Sequence, residues 1–155
     1  MPNHETNHVV VIGDPARIKT FLDEAFADGG HNEPDRVLDF EKILPPPEGI
    51  ETGGCSGHHE PGVICWYEWN IANWGTKWGA YSHQDVVIAG NEEQVQVRLI
   101  FDTAWTQPTP IFEAIEKRWE VEVNAITLDE GGAPPAFYGD NTHDYLYVST
   151  SVEFE

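Results

Sequence analysis

The chain carries the same strand-to-helix junction twice, and that repetition narrows the folds open to it. His8-Val9-Val10-Val11-Ile12-Gly13 is a continuous apolar run closed by glycine, and Asp14-Pro15 follows it. A run of that kind reads as a buried strand. Asp as N-cap with Pro at the first helical position then starts a helix. Ile18, Phe21, Leu22, Ala25 and Phe26 recur at spacings of three and four, which is one face of that helix, and Gly29-Gly30 ends it. Further on, Val95, Val97, Leu99 and Phe101 alternate with Gln96, Arg98, Ile100 and Asp102, a half-buried strand. Thr109-Pro110 repeats the cap-then-Pro signal, ahead of the apolar stripe Ile111, Phe112, Ile115 and Trp119.

Shorter elements fit between and after these units. Asp85 to Ile88 reads as a strand closing at Gly90-Asn91, joined by a hairpin to the alternating strand. Val121, Val123 and Ala125 alternate in another strand, broken by Gly131-Gly132-Ala133-Pro134-Pro135. Tyr145 to Phe154 reads as a last one. The stretch of about 31–75 looks inserted. Val37 to Phe40 suggests a short strand, Leu44-Pro45-Pro46-Pro47-Glu48-Gly49 a polyproline-like loop, and 52–62 a glycine-rich polar loop. A short helix around Trp66 and Trp69, ended by Gly75, follows. The predicted architecture is one α+β domain over 1–155. It is built from two split βαβ halves, an antiparallel sheet with two helices on one face, a Trp-rich insertion and an extra C-terminal strand.

Charge bounds the function. Eight Lys and Arg stand against 27 Asp and Glu, a net −19. That argues against direct binding of nucleic acid, which needs clustered cations, and against an anionic membrane surface. Three readings of the acidity stay open: a solubilising surface, adaptation to high salt, or imitation of the DNA phosphate array that occupies a DNA-binding protein. The start Met1-Pro2-Asn3-His4-Glu5 lacks the regions of a signal peptide, and no run of about 18 apolar residues occurs, so a cytoplasmic setting is expected. Two cysteines make no disulfide framework there.

Met1-Pro2-Asn3 with Asn7, Phe40 through Leu44-Pro45-Pro46-Pro47-Glu48, Trp66-Tyr67-Glu68-Trp69, and above all Asn73-Trp74-Gly75-Thr76-Lys77-Trp78 form a recognisable set. With Phe101-Asp102-Thr103-Ala104-Trp105-Thr106-Gln107-Pro108, this set resembles the YubB-type ferredoxin-like domain of plasmids, phages and other mobile elements. His4-Glu5 departs from the family, which tends to have an aromatic residue and a cysteine there, and the insertion bearing Gly, His and Cys does not align. The resemblance implies a ferredoxin-like chain path and a mobile-element setting. It implies no activity. Two cysteines do not make the usual four ligands of an iron–sulfur cluster.

Two groups of residues could carry function. Trp66, Tyr67, Trp69, Asn73, Trp74, Thr76, Lys77 and Trp78, with Trp105, are either a recognition surface or core; Trp serves both ends. Lys77 could lie on an indole face or pair with a carboxylate. Cys55, His58, His59 and Cys65, with His31 as a fourth ligand, bring the donor types zinc prefers, in a spacing that matches no known zinc motif. Cys65 beside Trp66 also reads as a packed thiol. No catalytic fingerprint is present. The leading expectation is a non-enzymatic accessory protein of a mobile element. It would bind a protein, such as a basic DNA-binding or defence protein, and act as an acidic DNA mimic or anti-defence factor. The alternatives are a small metal-dependent or carboxylate-based enzyme, and a salt-adapted structural module that pairs through a sheet edge as a homodimer rather than remaining a monomer.

Overall fold

The computed structural model describes residues 3–50 and 64–140. Along the chain these form β1 (His4–Gly13), α1 (Pro15–Glu24), β2 (Phe26–Asp28), β3 (Arg36–Leu38), α2 (Phe40–Ile43), α3 (Trp66–Asn73), β4 (Val87–Gly90), β5 (Val95–Ala104), α4 (Thr109–Trp119), β6 (Glu122–Asp129) and β7 (Ala136–Tyr138). The fold is α+β. Its main sheet has five antiparallel strands in the order β4-β5-β1-β6-β7, and β2 and β3 form a separate hairpin.

The period-two pattern decides which face is buried. Val9 stands opposite Leu99 and Ala125, and Val11 opposite Val97 and Val123. These residues share one face and are at most 3% exposed. Ile18, Phe21 and Leu22 of α1 and Ile111, Phe112, Ile115 and Trp119 of α4 join the same apolar cluster. Burying each such side chain stabilises the fold by about 1.5–3 kcal/mol. Asp14 caps α1 as expected, its Oδ1 accepting from Arg17 N at 3.0 Å.

Several expectations need correction. β1 begins at His4, four residues before the apolar run. Phe26 belongs to β2 rather than to α1, and Asp39 ends the β3 stretch by capping α2. Thr109 is the first residue of α4 and not its cap; Pro108 holds the cap position. β7 was not foreseen, and the expected strand at Tyr145–Phe154 lies outside the described residues.

One glycine is required by geometry. Gly75 follows α3 with φ +79°, and a Cβ there would sit 2.9 Å from Pro110 Cδ. Gly75→Ala meets both a disfavoured backbone and a clash with α4. The expected outcome is a loss of about 1–3 kcal/mol, seen as a lower urea midpoint at unchanged slope.

Candidate functional site

The Trp block divides between core and surface. Helix α3 turns Trp74 inward, 4% exposed, against Phe40 and Trp69. Its indole Nε1 donates to Leu44 O at 2.9 Å. Trp69 is half-buried against the core. Thr76 is fully buried and donates to the Trp78 carbonyl. Asn73 is exposed, its amide donating back to Trp69 O. These residues serve the fold.

Tyr67, Lys77, Trp78 and Trp105 do the opposite. Trp66 meets Tyr67 edge-on, Tyr67 meets Trp105, and Trp78 meets Tyr81, which in turn meets His4. Trp78 and Trp105 are each 39% exposed. The Lys77 ammonium lies 4.7 Å from the Trp78 ring centroid, 5.2 Å from Trp105 and 5.8 Å from Tyr67. Three aromatic faces around one ammonium make a cation–π box. Among the described residues no carboxylate forms an ion pair with Lys77. Beside the box runs an open groove of about 520 Å³, lined by Tyr67, Ile71, Gly75, Trp105 and Thr106 among others.

Trp105 occupies this surface at a conformational cost. Its φ is +72°, and Thr106 N donates to Ala104 O at 3.0 Å across it. That is a γ-turn of the rare, strained kind, with a bulky aromatic where glycine is the usual occupant. Neighbouring bonds hold it. Trp105 N donates to Asn3 O at 3.0 Å, Thr106 Oγ1 donates to the Gly75 carbonyl, and Thr103 Oγ1 donates to Thr106 O at 2.7 Å.

That last bond belongs to a polar network where the inward face of the sheet runs beyond the helices. Asn7, fully buried, donates from Nδ2 to Thr103 Oγ1 at 3.0 Å and accepts at Oδ1 from Thr127 Oγ1 at 2.8 Å. Gln107 Nε2 donates to Thr127 Oγ1 at 2.9 Å. In the next row Glu5, 9% exposed, faces Asp129. Burial first, then the hydrogen bond to Asp129 and the charges of Asp129 and Glu130, push the Glu5 carboxyl up to about 7. Asp129 is held below the ordinary carboxylate range, first by the Ala133 N–H at 3.0 Å and then by the bond from Glu5. The shared proton therefore resides on Glu5.

The expected metal group is only partly within view. Cys55, His58 and His59 lie outside the described residues, and His31 is exposed. Cys65 is fully buried and disulfide-bonded, so its sulfur is not a thiolate for zinc. Disulfides persist in oxidising surroundings, so this bond and the expected cytoplasmic setting pull in opposite directions. Among the described residues no three His, Cys, Asp or Glu side chains gather to hold a metal ion. Nor is any helix among them long and apolar enough to cross a membrane.

Sequence reasoning missed Ile71, Tyr81, His83 and the Glu5–Asp129 pair. Glu5 and Asn7 carried a usable signal, since both fall in phase with Val9 and Val11 and so point inward. No family model, no curated protein and no solved structure matches the chain.

Proposed function

We propose that the chain is a non-enzymatic protein-binding module whose docking surface is the Tyr67–Lys77–Trp78–Trp105 ridge and its adjoining groove. The observation that carries this reading is Trp105. A strained backbone costs of order 1–3 kcal/mol and persists only where its surroundings impose it. Here that cost holds a large aromatic at the surface, 39% exposed, rather than inside the core. Exposed Trp and Tyr anchors of this kind dominate binding energy at interfaces.

The partner is a protein with a basic surface, such as a DNA-binding or defence protein. The net charge of −19 would steer such a partner in. The ridge already accommodates one ammonium, so a partner's lysine or arginine can take the place of Lys77 over the rings. The mobile-element setting is carried by the sequence resemblance alone. With β2, β3, α2, α3 and β7 set aside, strand, helix, two strands, helix and strand remain, and their sheet order β4-β5-β1-β6 fits a ferredoxin-like path.

The test uses Trp105→Gly, which relieves the backbone and removes the anchor. Purified basic DNA-binding proteins are titrated against parent and variant at low and high salt. At least one should bind the parent in a salt-sensitive way and bind the variant about tenfold or more weakly, while the melting temperature stays within a few degrees. Absence of binding across the set, or equal binding by the variant, overturns the reading.

A further inference from the structure

We infer that the chain beyond Asp140 crosses the outer face of the main sheet as a strap, seated over Ile12 and Gln96. This face is turned away from the helices, and the seat lies at the opposite end of β5 from Trp105. Outward residues fall in rows across the strands: Ala89, Gln96, Ile12 and Glu122 in one, Val87, Arg98, Val10 and Asn124 in the next. Farther along, Leu128 and Phe137 are exposed. The end of the face nearest Gly13 is different. Ala89 is buried there, Ile12 and Gln96 are each 5% exposed, and Asn124 is 1% exposed.

That burial points to an occupant. Side chains on one face of a sheet flank one another and leave their outer ends to water unless a second layer covers them. The described elements supply no such layer. Apolar residues of α1, β2, β3, α2 and α4, with Trp74 at the end of α3, join Val9, Val11, Val97 and Val123 in the cluster on the inward face. Ile12 and Ala89 are buried outside that cluster. On an open face nothing would take the Gln96 amide out of water.

The chain is itself delivered to this place. Tyr138 pairs with Ala125, so Asp140, two residues on, falls level with Val123, one residue from Glu122 and the Ile12 row. Gly139 turns there with φ +83°, so close to Asn124 that a Cβ would sit 2.5 Å from its Oδ1. Residues 141–155 follow. Extended, they reach about 50 Å, and the crossing from β7 to β4 takes about 19 Å, four strand spacings. Tyr145, Leu146, Tyr147, Val148, Val152 and Phe154 give the segment apolar side chains for the seat. The other stretch outside the described residues, 51–63, has Val63 as its one branched aliphatic residue, and it departs from Ile50 on the helix side, beside Trp66 and Trp74. A second copy would bring another net −19 up to the face, whereas the chain's own end adds no such repulsion.

The test uses the full chain, labelled at the methyl groups of Ile, Leu and Val, with the Ile12 signal assigned through Ile12→Val. The expected result is a set of nuclear Overhauser contacts from the Ile12 methyl to Leu146, Val148 or Val152. Trp105→Gly should keep them, since the ridge lies at the other end of β5. Phe137→Ser, farther along the same face, should keep them too. Leu146→Asp combined with Val148→Asp should abolish them, raise the fluorescence of a dye that binds exposed apolar surface, and lower the melting temperature by a few degrees. Ile12 contacts confined to Val63 overturn the inference, as do contacts found only between differently labelled copies. An Ile12 methyl that touches nothing beyond the sheet overturns it as well. If the double variant does not fold, the contacts in the parent decide alone.

Discussion

Trp74→Ala is expected to remove most of the stability of this domain, whereas Trp78→Ala, four residues on in the same block, should cost little. Trp74 is 4% exposed and wedged edge-on between Phe40 and Trp69, at centroid distances of 5.7 and 5.5 Å. Truncating a buried Trp costs about 3–5 kcal/mol through lost transfer energy and the cavity left behind. The substitution also strips Leu44 O of its indole donor at 2.9 Å, worth about 1 kcal/mol more. Against a typical total of about 5–15 kcal/mol, the variant should unfold at low denaturant or fail to accumulate. Trp78, at 39% exposure, contributes its contacts with Lys77 and Tyr81, and its loss should stay within about 1 kcal/mol. Urea unfolding of the two variants side by side checks this. Equal losses would mean that the block acts as one packing unit, and the division between core and surface would be wrong.

That contrast explains how far the sequence could be read. β1, α1, β5, α4 and β6 were legible because burial imposes a period of two or 3.6 on runs of eight residues or more. β2 and β7, at three residues each, are too short to show any period. The beginning of β1 escaped notice because Glu5 and Asn7 stand where apolar residues are expected. Thr103, Thr127 and Asp129 satisfy them from strands distant in sequence, and no local pattern records such partners.

The Trp block was visible as a whole, but its two roles were not. They separate only once α3 fixes which side chains turn inward and Gly75 reverses the chain behind them. Trp105 gave no warning of its positive φ, since that conformation is signalled by Gly or Asn rather than Trp. It is imposed from outside by Asn3, Thr103 and Gly75. His83, flanked by Ser82 and Gln84, sits in no pattern at all.

The Glu5–Asp129 pair leads to the second large effect, a loss of stability as pH rises that one substitution should remove. Glu5 is an ordinary carboxylate in the unfolded chain, near 4.5, and is pushed up to about 7 in the fold. Between those values the folded protein holds a proton that the unfolded chain has released. Stability therefore falls as pH rises through that window and levels off above it. At about 1.4 kcal/mol per pH unit the penalty comes to roughly 2–3 kcal/mol, reduced from the full shift by the residual exposure of the group. Asp129 acts with the opposite sign, but its window lies below pH 4, where falling pH protonates it. General repulsion among 27 acidic residues also weakens the fold as they ionise, so the parent's curve alone cannot isolate Glu5. Glu5→Gln can. Its side-chain amide donates to Asp129 at every pH and carries no charge to desolvate. The two proteins should be close in stability near pH 5 and differ by roughly 2–3 kcal/mol at pH 8, the variant being the more stable. That gap corresponds to about 5–10 °C in melting temperature. Parallel melting curves from pH 5 to 8 would show that Glu5 is ionised in the fold throughout. His4 and Glu5 of β1 pair with Ala104 and Thr103, the last two residues of β5 before Trp105. The same titration therefore reaches the proposed docking surface. A partner held by Trp105 should release from the parent more readily at pH 8 than at pH 6, and Glu5→Gln should flatten that dependence.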